Sequence, residues 1–171
     1  VLEGEGALAL LEKVNPSHPM LGQSEILYSP VGSSHEQAIV KLNAANFFTA
    51  PSSEILLNRF AAILSTATMS TRLYAAGTEG FIGAAVNVAA RYGVKSASIV
   101  KEHRGSLRRR VQCVHCKGFN SDITASPFHC EHCKLYLFVR DHFSTRLNAF
   151  QGVCVNAEEP HLFPEPVELY Q

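Results

Sequence analysis

At 171 residues and 18.7 kDa the chain has the length of one domain, or of a medium domain plus a small module. Apolar residues make up 46% and charged residues 18%, a composition that builds a core and excludes disordered, collagen-like and coiled-coil architectures. Fifteen Lys and Arg balance fifteen Asp and Glu, which argues against a dedicated nucleic-acid or membrane binder, and no apolar run reaches the ~18 residues of a membrane span.

The chain begins at Val1 and not at Met, which reads as a processed or partial N-terminus. Glu3, Glu5, Glu12 and Lys13 interrupt residues 1–22 where a secretory signal would be apolar, so the reading is a cytoplasmic protein. Residues 1–23, mixed in polarity and carrying Pro16 and Pro19, are expected to form an N-terminal arm. Glu25–Ser29 reads as a short apolar strand closed by Pro30 and Gly32. Ser33 and Glu36 stand at capping-box spacing and open a helix expected to reach about residue 44. Asn46–Thr49 reads as a second strand. Ser52 or Ser53 then caps a helix whose Ile55, Leu56, Phe60, Ile63 and Leu64 recur at helical spacing. A third strand is expected over 71–75, a Gly-containing turn at 77–80, and a helix with Phe81, Ile82, Ala85, Val86, Ala89 and Tyr92 on one face, stopped by Gly93. Ala97–Val100 completes the series. Strands alternating with helices call for a mainly parallel sheet, so residues 24–102 are expected to form a small Rossmann-like α/β domain.

The rhythm stops at His103. Residues 95–117 carry seven basic side chains, Arg104, Arg108, Arg109 and Arg110 among them, against Glu102 alone. Then come Cys113-Val-His-Cys116, thirteen residues, and Cys130-Glu-His-Cys133. Two C-x-x-C knuckles let four thiolates converge on one ion, and in a chain with no secretory signal they point to metal, not disulfides. Cys113, Cys116, Cys130 and Cys133 are the candidate ligands. The ion is zinc or, alternatively, iron; lysines, not glycines, directly follow the knuckles as Lys117 and Lys134, which favours zinc. The expected module, residues 103–159, is a zinc-ribbon or rubredoxin-like one with too little apolar mass to fold unaided. Residues 160–171, with three Pro, read as an extended tail that must lie on something.

Other signals have plain structural readings. Gly77-Thr-Glu-Gly-Phe-Ile-Gly83 could offer free amides to an anion, but it lacks the G-x-G-x-x-G order and reads as a turn. Asp141-His142 beside Ser144 and Arg146 is a catalytic grouping by composition only. Cys154 reads as a buried apolar thiol. No catalytic residue is assigned. The interface candidates are Arg104, Arg108, Arg109, Arg110, Arg140 and Asp141, since guanidinium pairs bidentately with carboxylates.

Two resemblances follow from these residues. Arg72-Leu-Tyr-Ala-Ala-Gly-Thr-Glu-Gly-Phe81, with its helix and the next strand, resembles the last βαβ unit of ferredoxin-reductase nicotinamide domains. Ala76-Gly77-Thr78 stands where that family has Cys-Gly-Pro, and 29–33 carries a single Gly where it has a Gly-rich loop, so the relative implied is degenerate and non-binding. The run from Cys130 to Val153, with Arg140-Asp-His-Phe-Ser144 inside it and Val155-Asn-Ala-Glu-Glu-Pro160 after it, resembles the small A subunits of dimethylamine monooxygenases. That resemblance implies an accessory subunit of a multi-subunit, NADPH-dependent enzyme that oxidatively N-demethylates dimethylamine to methylamine and formaldehyde. Its implied partners are a haem-containing catalytic subunit and a reductase subunit with FMN and an iron–sulfur cluster; nucleic acid and membrane are not among them. A rubredoxin-like one-electron carrier and a zinc-ribbon nucleic-acid binder are the alternatives.

Overall fold

A computed structural model describes residues 1–171 except Ser33, Met69 and Leu162. It divides into two compact units, Val1–Gly105 and Ser106–Gln171. The first unit is a five-stranded, all-parallel sheet in the order β3-β2-β1-β4-β5. Its strands are β1 (Leu2–Glu3), β2 (Glu25–Ser29), β3 (Asn46–Thr49), β4 (Leu73–Gly77) and β5 (Ile99–His103). The helices are α1 (Gly6–Leu11), α2 (Glu36–Val40), α3 (Ser53–Leu64) and α4 (Glu79–Arg91).

Alternation along the strands feeds two cores. Leu27, Ala75 and Ile99 pack against Leu56, Phe60 and Leu64 of α3 and Phe81, Ala85, Val86 and Ala89 of α4. Leu2, Ile26, Tyr28 and Ala76 pack with Ala7 and Ala9 of α1, Leu21 and Ile39. Both sheet faces are therefore covered, as parallel sheets require. The caps follow the local sequence: Ser52 and Thr78 accept from the backbone N–H of Ile55 and Phe81, three residues into α3 and α4. Ser33, expected to cap the helix at Glu36, lies outside the described residues, and α2 stops at Val40, short of the expected residue 44.

Residues 1–23 are not an arm. They supply the central strand, the first helix and a 3-10 turn over Pro19–Gln23. Gly4 bends the chain out of β1 at φ +48°, a left-handed conformation suited to glycine, and Gly6 lets α1 lie directly on β4. Gly4-Glu-Gly6-Ala-Leu-Ala9 is thus a G-x-G-x-x-A turn between a strand and a helix, which sequence reasoning overlooked because only three residues precede it.

The second unit holds β6 (Arg109–Cys113), β7 (Phe119–Ile123), β8 (Ala125–Ser126), β9 (Phe128–His129), β10 (Tyr136–Ser144), β11 (Ala149–Cys154) and β12 (Val167–Glu168). Its main sheet runs β7-β6-β11-β10-β9, antiparallel except for β6 beside β11. The tail lies on this unit itself: β12 pairs with β8, and Tyr170 is buried with Val111, Val139 and Phe150.

Candidate metal centre

The two knuckles occupy the turns β6–β7 and β9–β10, and they are built alike. Cys113 N–H donates to Gly118 O and Cys130 N–H to Leu135 O, each at 2.9 Å; Lys117 N–H and Lys134 N–H return to Cys113 O at 2.9 Å and Cys130 O at 3.0 Å. This folding brings the four sulfurs within 4.8 Å of one another. Cys113 Sγ lies 3.7 Å from Cys133 Sγ, and Cys116 Sγ lies 3.7 Å from Cys130 Sγ, so each close pair takes one sulfur from each knuckle. Disulfides, near 2 Å, are excluded at that separation. A tetrahedron of thiolates about 2.3 Å from a central zinc has edges of about 3.8 Å. The donor set and its spacing fit one tetrahedral ion.

The electrostatics agree. Burial pushes the Cys130 thiol up, but the backbone N–H groups of Cys133 and His132 and the Asn120 amide outweigh it and bring the thiol down to about 6. At Cys133 the Leu135 N–H favours the thiolate, yet burial and the three neighbouring sulfurs hold the thiol up to about 12. One thiolate is favoured near neutral pH, and the next thiol keeps its proton unless a cation offsets the added charge.

Asn120, fully buried, is the support that sequence reasoning missed. Its amide donates to Cys130 Sγ at 3.7 Å and Val111 O at 3.4 Å, and its Oδ1 accepts from Glu131 N–H at 2.8 Å. No local sequence signal marks it, because it acts across to the other knuckle. His132 ties the knuckles from the opposite side: Nε2 donates to Phe119 O at 2.8 Å, and the ring lies where a Cβ on Gly118 would be 2.3 Å away. Gly118→Ala is therefore expected to expel the His132 ring and cost the module about 1 kcal/mol while the cysteines still close on an ion. A double-mutant cycle with His132→Ala checks this: once Gly118 is replaced, removing His132 adds nothing.

Most of the basic segment is used internally. The Arg104 guanidinium bridges Glu12, at 2.6 Å, and Glu102, at 2.7 Å, and Lys13 also pairs with Glu102. These two cations hold the Glu102 carboxyl below its ordinary range. Arg109 lies between the rings of Phe150, 3.9 Å, and Tyr170, 4.1 Å, with Asp141 Oδ1 at 2.7 Å. Arg110 covers Phe119 at 3.9 Å and donates to Leu147 O at 2.9 Å. Of the six interface candidates only Arg108 and Arg140 are exposed without such a partner; the heads of Arg104, Arg109, Arg110 and Asp141 are engaged within their own unit. Asp141 thus takes part in an ion pair with Arg109. Cys154 is half-buried, not buried, and its thiol donates to Asn156 Oδ1 at 3.2 Å.

The crevice at the carboxyl ends of β1 and β4, where a doubly wound sheet reverses its strand order, is where such folds take ligands. Here a side chain fills it. Glu3 is 9% exposed; its Oε2 accepts from Thr78 Oγ1 at 2.6 Å and Thr78 N–H at 3.3 Å, and its Oε1 accepts from Ser53 Oγ at 2.5 Å. The carboxylate thus ties Ser53, the first residue of α3, to Thr78, the cap of α4. Glu3→Ala is expected to destabilise the unit by about 2–3 kcal/mol, measured by urea unfolding, because charge-assisted bonds are lost and the half-buried donors of Ser53 and Thr78 lose their acceptor.

An open, doubly wound sheet and a four-cysteine, two-knuckle module define the class: an α/β protein with an appended cysteine-cluster module that could hold a metal ion. Residues 1–99 match the N-terminal domain, and residues 110–153 the C-terminal domain, of the family described as dimethylamine monooxygenase subunit DmmA-like. The chain belongs to that family. It is also similar to the heme-dependent oxidative N-demethylase delta subunit of Ectopseudomonas mendocina (strain ymp), 33% identical over 103 residues that cover 60% of this chain. The match spans 59% of that relative's length. No solved structure matches the chain significantly.

Proposed function

We propose that the chain is an accessory subunit of a haem-dependent oxidative N-demethylase, and that Cys113, Cys116, Cys130 and Cys133 hold a structural zinc ion. The observation that carries this reading is a two-domain match to a subunit family whose C-terminal part, in this chain, brings four cysteine sulfurs together. Zinc supplies a cross-link whose binding free energy is folding free energy, on the order of 10 kcal/mol in small zinc modules. The chain's own residues do the rest. Asn120 and the knuckle amides orient the sulfurs, His132 joins the turns, and Arg109 pins the tail residue Tyr170 over the small core.

The N-demethylated amine is dimethylamine, giving methylamine and formaldehyde. NADPH delivers the electrons through a reductase subunit with FMN and an iron–sulfur cluster, and a separate subunit carries the haem. This chain contributes neither cofactor. Its α/β unit serves as a scaffold, because Glu3 occupies the crevice and would repel a pyrophosphate there. The protein is cytoplasmic; no helix among the described residues is long and apolar enough to cross a membrane. A nucleic-acid role is disfavoured by the same ion pairs and stacks that engage Arg104, Arg109 and Arg110.

Purification of the chain from its source tests the assignment. Haem and flavin subunits are expected to accompany it, with one zinc per copy; a chain that elutes alone at every salt concentration would overturn it.

A further inference from the structure

Lys117 and Lys134 each follow the second cysteine of a knuckle, and both have φ +63°. That left-handed conformation suits glycine and strains any residue with a Cβ. The turn needs only the backbone N–H of this position, donated to Cys113 O or Cys130 O, and glycine would supply it. The sequence instead accepts the strain twice. Both side chains then fold back onto their own knuckles. Lys117 Nζ donates to Val114 O at 2.5 Å, and Lys134 Nζ donates to Glu131 O at 2.7 Å. Both lysines are exposed, so each hairpinned ammonium forgoes the rotamer freedom that solvent offers, and the same fold-back at equivalent positions calls for a common cause.

Charge supplies one. A divalent ion ligated by four thiolates is formally a dianion, partly buried here, with Cys113 and Cys130 fully enclosed. Two ammonium groups, one per knuckle, bring the cluster to neutrality. We propose that Lys117 and Lys134 are the built-in counter-charges of the metal–tetrathiolate centre and set how tightly the metal is held. This rests on the reading that the four cysteines bind a divalent metal ion. Both lysines act through the thiolates and not by ligation, so they are positioning residues for the centre.

The test uses the full chain loaded with zinc, in equilibrium competition against a chelator of known affinity. Lys117→Gln and Lys134→Gln are each expected to weaken zinc binding about 3–10-fold, and the pair to multiply the loss. In about 1 M salt the differences shrink, because screening removes the charge term and leaves hydrogen bonds untouched. Arg at either position keeps affinity within about twofold. Lys→Gly separates charge from geometry: it removes the ammonium and relieves the backbone together, so in about 1 M salt it holds zinc at least as tightly as the parent, yet at low salt its zinc affinity falls. Gly or Gln variants that hold zinc as tightly as the parent at low salt would overturn the proposal, as would losses unchanged by salt. A parent chain that takes up no zinc fails differently, since it overturns the metal reading underneath.

Discussion

Replacing Cys130 by Ser is expected to strip the metal, unfold residues 106–171 and leave residues 1–105 folded. Cys130 is the fully buried thiolate on which the Cys133 and His132 amides and the Asn120 side chain converge. A hydroxyl there stays protonated and ligates zinc poorly, so the ion loses one of four ligands and the module loses its cross-link. The buried apolar groups that remain are few: Val111, Val139, Phe150 and Tyr170 in one cluster, Leu137 among the sulfurs, and Tyr136 and Ala149 besides. Such a core does not offset the entropy of ordering its chain. The α/β unit has its own two cores and is expected to keep its cooperative unfolding transition. Two-step thermal unfolding in the parent, reduced to the α/β step in Cys130→Ser, is the expected signature. In the complex, the variant chain should dissociate from its partners. A complex that stays assembled and loses only electron transfer would instead identify an iron carrier.

Gly6→Ala is the second large effect, and it acts on the other unit. A Cβ at position 6 would lie 2.1 Å from Ala76 O, 2.4 Å from Ala76 C and 2.7 Å from Gly77 N. All three are backbone atoms of β4, hydrogen-bonded in the sheet, and none can swing aside. Helix α1 would have to lift from the strand, opening the cluster of Leu2, Ala7, Ala9 and Ala76. The expected cost is about 3–5 kcal/mol, most of the stability of an ordinary small domain. Gly80→Ala is the matched control, since its Cβ meets nothing within 4 Å and it lies inside α4. There the same change is expected to be neutral or to stabilise by up to about 1 kcal/mol. Equal losses at both positions would show that close approach to β4 is not what Gly6 provides.

The legible elements were those with long periodic patterns. The apolar spacing of α3 and α4, with Ser52 and the Gly93 stop, announces both helices, and β2 and β3 read directly from Glu25–Ser29 and Asn46–Thr49. Strands β4 and β5 begin two residues later than expected. Thr71 and Arg72 lie outside the sheet, and β5 extends through polar Lys101, Glu102 and His103 because it is an edge strand. Strand β1 was illegible for a physical reason. Two residues cannot show a period, and buried Glu3 reads as surface when its partners, Ser53 and Thr78, are 50 and 75 residues away. The arginines misled in the same way. Arg109 and Arg110 look like a solvated basic run, but their planar heads stack on Phe150, Tyr170 and Phe119, contacts that only the tertiary fold creates. The convergence of the four cysteines was legible from spacing alone, because two C-x-x-C turns facing each other bring their sulfurs together whatever the rest of the module does.

Hydrogen exchange of the full chain, before and after zinc is removed by a chelator, tests most directly whether the metal is what folds the ribbon. The expected result is one zinc per chain at the start, and selective loss of protection in residues 106–171 once it is gone, with β2, β3, α3 and α4 as protected as before. Protection in β6, β10 and β11 that survives complete removal of the metal would contradict a structural role.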